Sequence, residues 1–187
     1  MSDYQTLPAG LVAPVDDGAA AHLPGQAMPA ASLPTTDGRD ITLSELAAGR
    51  TVLYVYPRTG QPGQALPEGW DEIPGARGCT PEACGFRDHY QELLAAGAGA
   101  VYGLSSQDTG YQLEVVERLQ LPFPMISDEQ LQLARELRLP TFTTGGMRLY
   151  RRLTMIVADG RIEHVFYPIF PPDEHAQQVV DWLRQNG

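Results

Sequence analysis

The run Thr51-Val52-Leu53-Tyr54-Val55-Tyr56-Pro57 decides how this chain folds. Six consecutive β-branched, aliphatic or aromatic residues form a strand with two apolar faces, and Pro57 stops it. Such a strand belongs in the middle of a sheet, covered on both sides. Working outward, Thr36-Asp37-Gly38 marks a hairpin, and a short helix is expected near Ser44 to Ala48. Pro81 to Leu94 keeps Ala83, Phe86, Tyr90, Leu93 and Leu94 on one face, which predicts a helix that Gly97 ends. Ala100 to Leu104 is a strand. Leu113, Val116 and Leu119 mark a second helix, Leu131, Ala134 and Leu137 a third, and Ala176, Val179, Val180 and Leu183 the last. Strands near Leu149 to Val157 and Arg161 to Tyr167 are joined at Asp159-Gly160, a strong hairpin signal. Strands alternating with helices and ending in a hairpin predict an α/β domain with a central mixed sheet flanked by helices.

Residues 1–30 are rich in Ala, Pro and Gly without a sustained period, so they read as an N-terminal extension, either an arm lying on the domain or a partly disordered tail. Residues 31–187 form the domain. Between Gly60 and Gly78 lies a long loop holding Pro62, Pro67 and Pro74, with Trp70 and Ile73 as its packing residues. Loops of this length inside a compact domain are usually functional or disordered.

With 187 residues, 43% of them hydrophobic, the chain can bury one core of ordinary size. Thirteen basic residues stand against 23 acidic ones, a net charge of −10, which argues against binding nucleic acid by charge. Every basic residue is arginine, which excludes a lysine Schiff base or a P-loop lysine. The apolar runs fall short of the roughly 20 residues that a membrane span needs. Asp3, Asp16, Asp17 and several prolines interrupt the start, so no secretory signal is visible and a cytoplasmic location is expected. In a reducing compartment, two close cysteines point to redox or metal chemistry more than to a permanent staple.

Those cysteines stand in Gly78-Cys79-Thr80-Pro81-Glu82-Ala83-Cys84-Gly85-Phe86-Arg87-Asp88. Thr80 suits an N-cap and Pro81 the first helical position, which places Cys79 at or just before a helix N-terminus. There the helix dipole and free N–H groups favour an anion, so a lowered thiol pKa is expected and Cys79 is the candidate nucleophile. Cys84 follows five residues later. On an ideal helix this is about 7.5 Å of rise and about 140° of rotation, roughly 8 to 9 Å between Cα atoms. A disulfide tolerates at most about 7 Å, so a bond between them requires the first turn to unwind. The alternatives are two inert buried cysteines, or a metal site with His89. Ligands fanned apart on a helix do not converge, and no second Cys/His cluster appears. A thioredoxin-type Cys-x-x-Cys is absent. The four histidines are scattered and read as surface or packing residues.

This segment resembles the peroxiredoxins, specifically the peroxiredoxin Q or bacterioferritin comigratory protein group. The resemblance runs from about residue 30 through Ile41-Thr42-Leu43-Ser44-Glu45-Leu46, Val52 to Pro57, the cysteine segment, Ser127-Asp128, Arg152-Leu153-Thr154 and Gly160 to Phe166. It implies a thioredoxin-like fold and thiol-dependent reduction of hydrogen peroxide and organic hydroperoxides. Cys79 matches the peroxidatic cysteine, and Cys84 the resolving cysteine that forms an intramolecular disulfide with it. Thioredoxin or a similar dithiol would reduce that disulfide. No metal or organic cofactor is implied. The family keeps an arginine beside the peroxidatic sulfur, and Arg152 fits its setting best, with Arg151 as the fallback; strand alternation lets only one of them point at the site.

Two departures stand out. The family places a threonine or serine three residues before the peroxidatic cysteine, where this chain has Ala76. The hydroxyl's role is then lost, taken by Thr59 or Thr80, or replaced by backbone and water. Pro57 and Cys79 are also further apart than in the family pattern, and the inserted loop at about 60–78 is expected to form a wall or lid with Trp70. The rival functions are a thiol-disulfide oxidoreductase and a non-enzymatic thioredoxin-like binding domain. An intramolecular resolving partner removes the chemical need for a second subunit, so a monomer is expected.

Overall fold

The computed structural model describes residues 4–187. Residues 1–3 of the expected extension lie outside the described residues. The chain opens with a hairpin of β1 (Ser32–Pro34) and β2 (Asp40–Thr42), then runs through β3 (Arg50–Val55), α1 (Cys79–Asp88) and α2 (Tyr90–Ala95). Next come β4 (Ala98–Ser105), α3 (Thr109–Leu119), β5 (Met125–Ser127) and α4 (Gln132–Glu136). A small hairpin of β6 (Thr141–Thr144) and β7 (Met147–Tyr150) precedes β8 (Leu153–Ala158), β9 (Arg161–Phe166) and α5 (His175–Gln185).

β3 is the middle strand of a five-stranded sheet of order β5-β4-β3-β8-β9. It pairs parallel with β4 and antiparallel with β8, so the sheet is mixed, and its central place covers both of its apolar faces. Val52 and Tyr54 face a core layer with Ala83 and Phe86 of α1, Val115 of α3 and Val179 of α5. Leu53 and Val55 face a second layer with Leu104, Met155 and Leu133 of α4. All four β3 side chains are fully buried. Residues 4–30 contain no helix or extended strand, yet Leu23 and Met28 complete the second layer. The Asp159-Gly160 turn has φ of 51° and 70°, the positive pair that a tight hairpin demands.

Several expected boundaries move. The short helix near Ser44 to Ala48 is a single 3-10 turn at Leu43–Glu45. The helix expected over Pro81 to Leu94 starts two residues earlier and breaks at His89, whose ring bonds Glu92 of the next helix at 2.9 Å. The expected strand from Leu149 to Val157 is two strands in different sheets, with Arg151 and Arg152 at the joint between them.

Candidate active site

β3 ends at Val55 and delivers the chain to Arg58 and Thr59, beside the start of α1. Gly78 occupies the N-cap with φ 108°, and a Cβ there would lie 2.3 Å from Pro172 Cγ. Only glycine meets both demands. The cap is thus Gly78 and not Thr80, and Cys79 is the first helical residue. Pro81 misplaced the boundary because its missing N–H goes unnoticed anywhere in a first turn, where those groups have no helical partner.

Cys79 is 3% exposed. Arg152 Nη2 donates to its Sγ at 3.2 Å, and the nearby Arg58 backbone N–H favours the thiolate form. The thiol itself reaches the Ala76 carbonyl at 3.6 Å. The same Nη2 also donates to the carbonyls of Ala76 and Arg77, each at 3.2 Å, while Nη1 pairs with Glu82 Oε2. Arg152 is therefore aimed by two fixed carbonyls and a carboxylate. Arg151 points the other way, its guanidinium 5.6 Å from the centre of the Phe142 ring. The structure thus brings Arg152 to Cys79 and leaves Arg151 outside.

Burial pushes the Cys79 thiol up, against the pull of Arg152, and Glu82 adds to the rise. The expectation of a lowered thiol pKa is corrected on this point: in the closed pocket, desolvation outweighs the guanidinium. Glu82 is fully buried, three residues along the helix from Cys79, and burial raises its carboxyl to about 7 although Arg152 opposes the rise. Sequence reasoning passed over Glu82, but the signal was present: an acidic residue on the apolar stripe of Cys79, Ala83 and Phe86.

Ala76 contributes through its carbonyl, since its side chain has no polar group. Thr59 is committed elsewhere, its hydroxyl and N–H both meeting Gln107 Oε1 at 3.1 Å. Thr80 lines the opening above the sulfur. Cys84 lies on α1 with Cys79, half-buried against the α1 and α3 core layer, and both thiols are free. Burial raises the Cys84 thiol as well. Ser127 and Asp128 lie away from the sulfur; Asp128 accepts the N–H groups of Gln132 and Leu133 and so starts α4.

Trp70, of the inserted loop, is buried against Ala76 and Leu149 and lines the same opening as Thr80. Tyr4 and Arg58 line it too, and neither was singled out from sequence. The space above Cys79 is about 10 Å³, roughly room for one water. A larger cavity of about 310 Å³, between residues 12–17 and Tyr167 to Ile169, touches Arg152 but not Cys79. Among the described residues no helix is long and apolar enough to cross a membrane.

A cysteine at a helix start, facing a buried arginine that fixed carbonyls and a carboxylate hold in place, is an arrangement in which a thiolate, once formed, has a donor beside the place where negative charge would move. Comparison with known proteins agrees. The redoxin family model matches residues 23–180. Peroxiredoxin Bcp of Escherichia coli (strain K12) is 30% identical over 172 residues, covering 87% of this chain and 96% of that protein. The chloroplastic peroxiredoxin Q of Oryza sativa subsp. japonica is 30% identical over 160 residues, 86% of this chain and 66% of the rice protein, so the chain spans about two thirds of that relative. The crystal structure of peroxidoxin BcpB from Mycobacterium tuberculosis matches with a TM-score of 0.69 at 27% identity, covering 88% of this chain and 98% of that one. The mixed sheet and its flanking helices are accordingly the thioredoxin-like fold, and the chain belongs to the redoxin family as a peroxiredoxin of the Q/Bcp type.

Proposed function

We propose that this peroxiredoxin reduces hydrogen peroxide and organic hydroperoxides at Cys79, with Cys84 as the resolving thiol and thioredoxin or a similar dithiol as reductant. The Cys79 thiolate attacks the outer oxygen of the peroxide. An S–O bond forms, the O–O bond breaks, and the electron pair leaves on the other oxygen, which takes a proton and departs as water or alcohol. Arg152 Nη2, which donates to the Cys79 Sγ at 3.2 Å, stands beside the place where that charge would develop, and this contact carries the reading. The Cys84 thiolate then attacks the sulfenic sulfur, a disulfide forms and hydroxide leaves as water. Two thiolates of an external dithiol restore both cysteines by exchange. Peroxide attack and disulfide formation both use thiols of one chain, which supports a monomer.

The test is to add one equivalent of hydrogen peroxide to the reduced protein, count thiols and map the product by mass spectrometry. Loss of both thiols to a Cys79–Cys84 disulfide that thioredoxin reduces is expected. Two unreacted thiols would overturn the proposal.

A further inference from the structure

The opening above Cys79 continues outward into a bowl of about 340 Å³. Tyr4, Leu66, Trp70 and Arg77 line both spaces, so these four side chains stand between bulk solvent and the sulfur. They are not equally fixed. Trp70 is 3% exposed and packs on Phe142, with ring centres 6.1 Å apart. Leu66 joins the same small core, and Arg77 is tied to Asp71 at 3.0 Å. Tyr4 belongs to the segment before β1 that has no helix or extended strand, and it contributes no side chain to any of the three core clusters. Its hydroxyl donates to the Gln64 carbonyl at 2.5 Å, and its ring lies under the Arg77 guanidinium at 5.5 Å. The ring also rests flush on Gly60, where a Cβ would come within 3.0 Å of it. Gly60 has no positive φ, so what glycine supplies there is space for the ring.

We infer that Tyr4 is a specificity-determining gate of this site: its ring narrows the path to Cys79 so that hydrogen peroxide enters freely and bulky alkyl hydroperoxides are held back until the ring swings out. The inference rests on Cys79 being the peroxide-reacting thiol. The space above the sulfur takes about one water-sized molecule, so a dioxygen species needs little rearrangement while a cumyl group cannot follow its peroxide inward unless a wall moves. Tyr4 is 8% exposed, but apart from its packing on Gly60 it is held by one hydrogen bond and one cation–π contact, each worth about a kcal/mol, and it stands outside the core clusters that fix Trp70 and Leu66.

Two ratios test the gate in Tyr4→Ala. The first is the rate constant for cumene hydroperoxide over that for hydrogen peroxide. The second, measured in a Cys84→Ser background so that Cys79 is the sole thiol, is the rate of labelling by N-phenylmaleimide over that by iodoacetamide. Taking ratios cancels any change in thiolate population. Both are expected to rise by about tenfold over the Tyr4 parent; a rise of threefold or less in either overturns the gate. If the wild-type protein turns over neither peroxide, the peroxidase reading has failed by itself, and the labelling ratio alone decides whether Tyr4 gates the thiol. Should Tyr4→Ala not fold, Tyr4→Val, which keeps an apolar side chain but deletes the ring, is judged by the same thresholds.

Discussion

Arg152 Nη2 lies 3.2 Å from Cys79 Sγ across 73 residues of sequence, and the two carbonyls that hold it there, of Ala76 and Arg77, belong to the turn that starts the cysteine's own helix. The contact is thus built by the backbone on one side and by a salt-bridged carboxylate on the other. A guanidinium suits this position because its donors lie in one plane and reach four acceptors together, which a compact ammonium cannot do.

Arg152→Ala should therefore slow peroxide reduction about 10²- to 10³-fold, the usual loss when one preorganised donor to a developing oxyanion is removed. The Cys79 thiol pKa should rise further, because the group that pulls it down is gone and Glu82 remains. Arg152→Lys should recover little of the rate. Stopped-flow peroxide consumption and ultraviolet titration of the thiolate measure both effects. A lysine variant as fast as wild type would show that charge alone is needed at this position.

Glu82→Gln probes the other side of the guanidinium. Glu82 adds to the rise of the Cys79 thiol, so its neutral amide should lower the thiol pKa, and an unchanged or higher value would refute the coupling. Stability carries an independent sign. The Glu82 carboxyl is raised from 4.5 to about 7 on folding, so the folded state holds the proton more tightly. Its stabilisation is complete below pH 4.5 and is lost as pH climbs through 7. Denaturant titrations should accordingly find Glu82→Gln gaining on the wild type steadily between pH 4.5 and 7.

Much of the fold was legible because the decisive signals were local. The two-faced apolar strand from Thr51 announced the sheet centre, and Asp159-Gly160 announced the last hairpin. β6 and β7 were not singled out, although Gly145-Gly146, both at positive φ, joins them with a comparable turn signal. Taking Leu149 to Val157 as one strand concealed that hairpin, since a run of apolar residues does not say where a chain changes sheets. In the site, Cys79 and Arg152 could be found from motif residues alone. The raised thiol could not, because helix-terminus reasoning supplies the favourable field but not the burial that outweighs it. Tyr4 gave no signal either: its place over Cys79 depends on how residues before β1 lie across the domain, a tertiary fact without sequence period.

His175 gives the molecule an acid-sensitive side. It is fully buried on α5, with Nε2 at 2.8 Å from Thr154 Oγ1 and Nδ1 at 3.2 Å from Gln178 Oε1. Burial depresses its pKa from 6.5 to about 4. The unfolded chain therefore binds this proton first, and stability falls as pH drops from 6.5 toward 4. From pH 7 to 4.5 the loss should be about 2 kcal/mol from this residue. His175→Gln should be less stable at neutral pH, having lost buried hydrogen bonds, yet should lose about 2 kcal/mol less over that interval. Equal losses in both proteins, measured by urea unfolding, would acquit His175.

Resolution of the Cys79 sulfenic acid by Cys84 demands a motion of α1. Cys79 and Cys84 share an intact α1, which sets their Cα atoms roughly 8 to 9 Å apart, beyond the reach of a disulfide. Burial also raises the Cys84 thiol, so folded α1 lacks the geometry and disfavours the resolving thiolate. Unwinding the first turns of α1 cures both defects, because it closes the distance and returns Cys84 to water. The Cys79 sulfenic acid must therefore be followed by local unfolding, and the disulfide should lock that state in. Hydrogen exchange of the oxidised protein should lose protection at residues 82–88, whose N–H groups are bonded within α1 in the reduced form. Cys84→Ser treated with one equivalent of peroxide should retain that protection and accumulate a sulfenic acid that dimedone traps. If the wild-type disulfide forms with α1 protection unchanged, helix unwinding is not the resolving step.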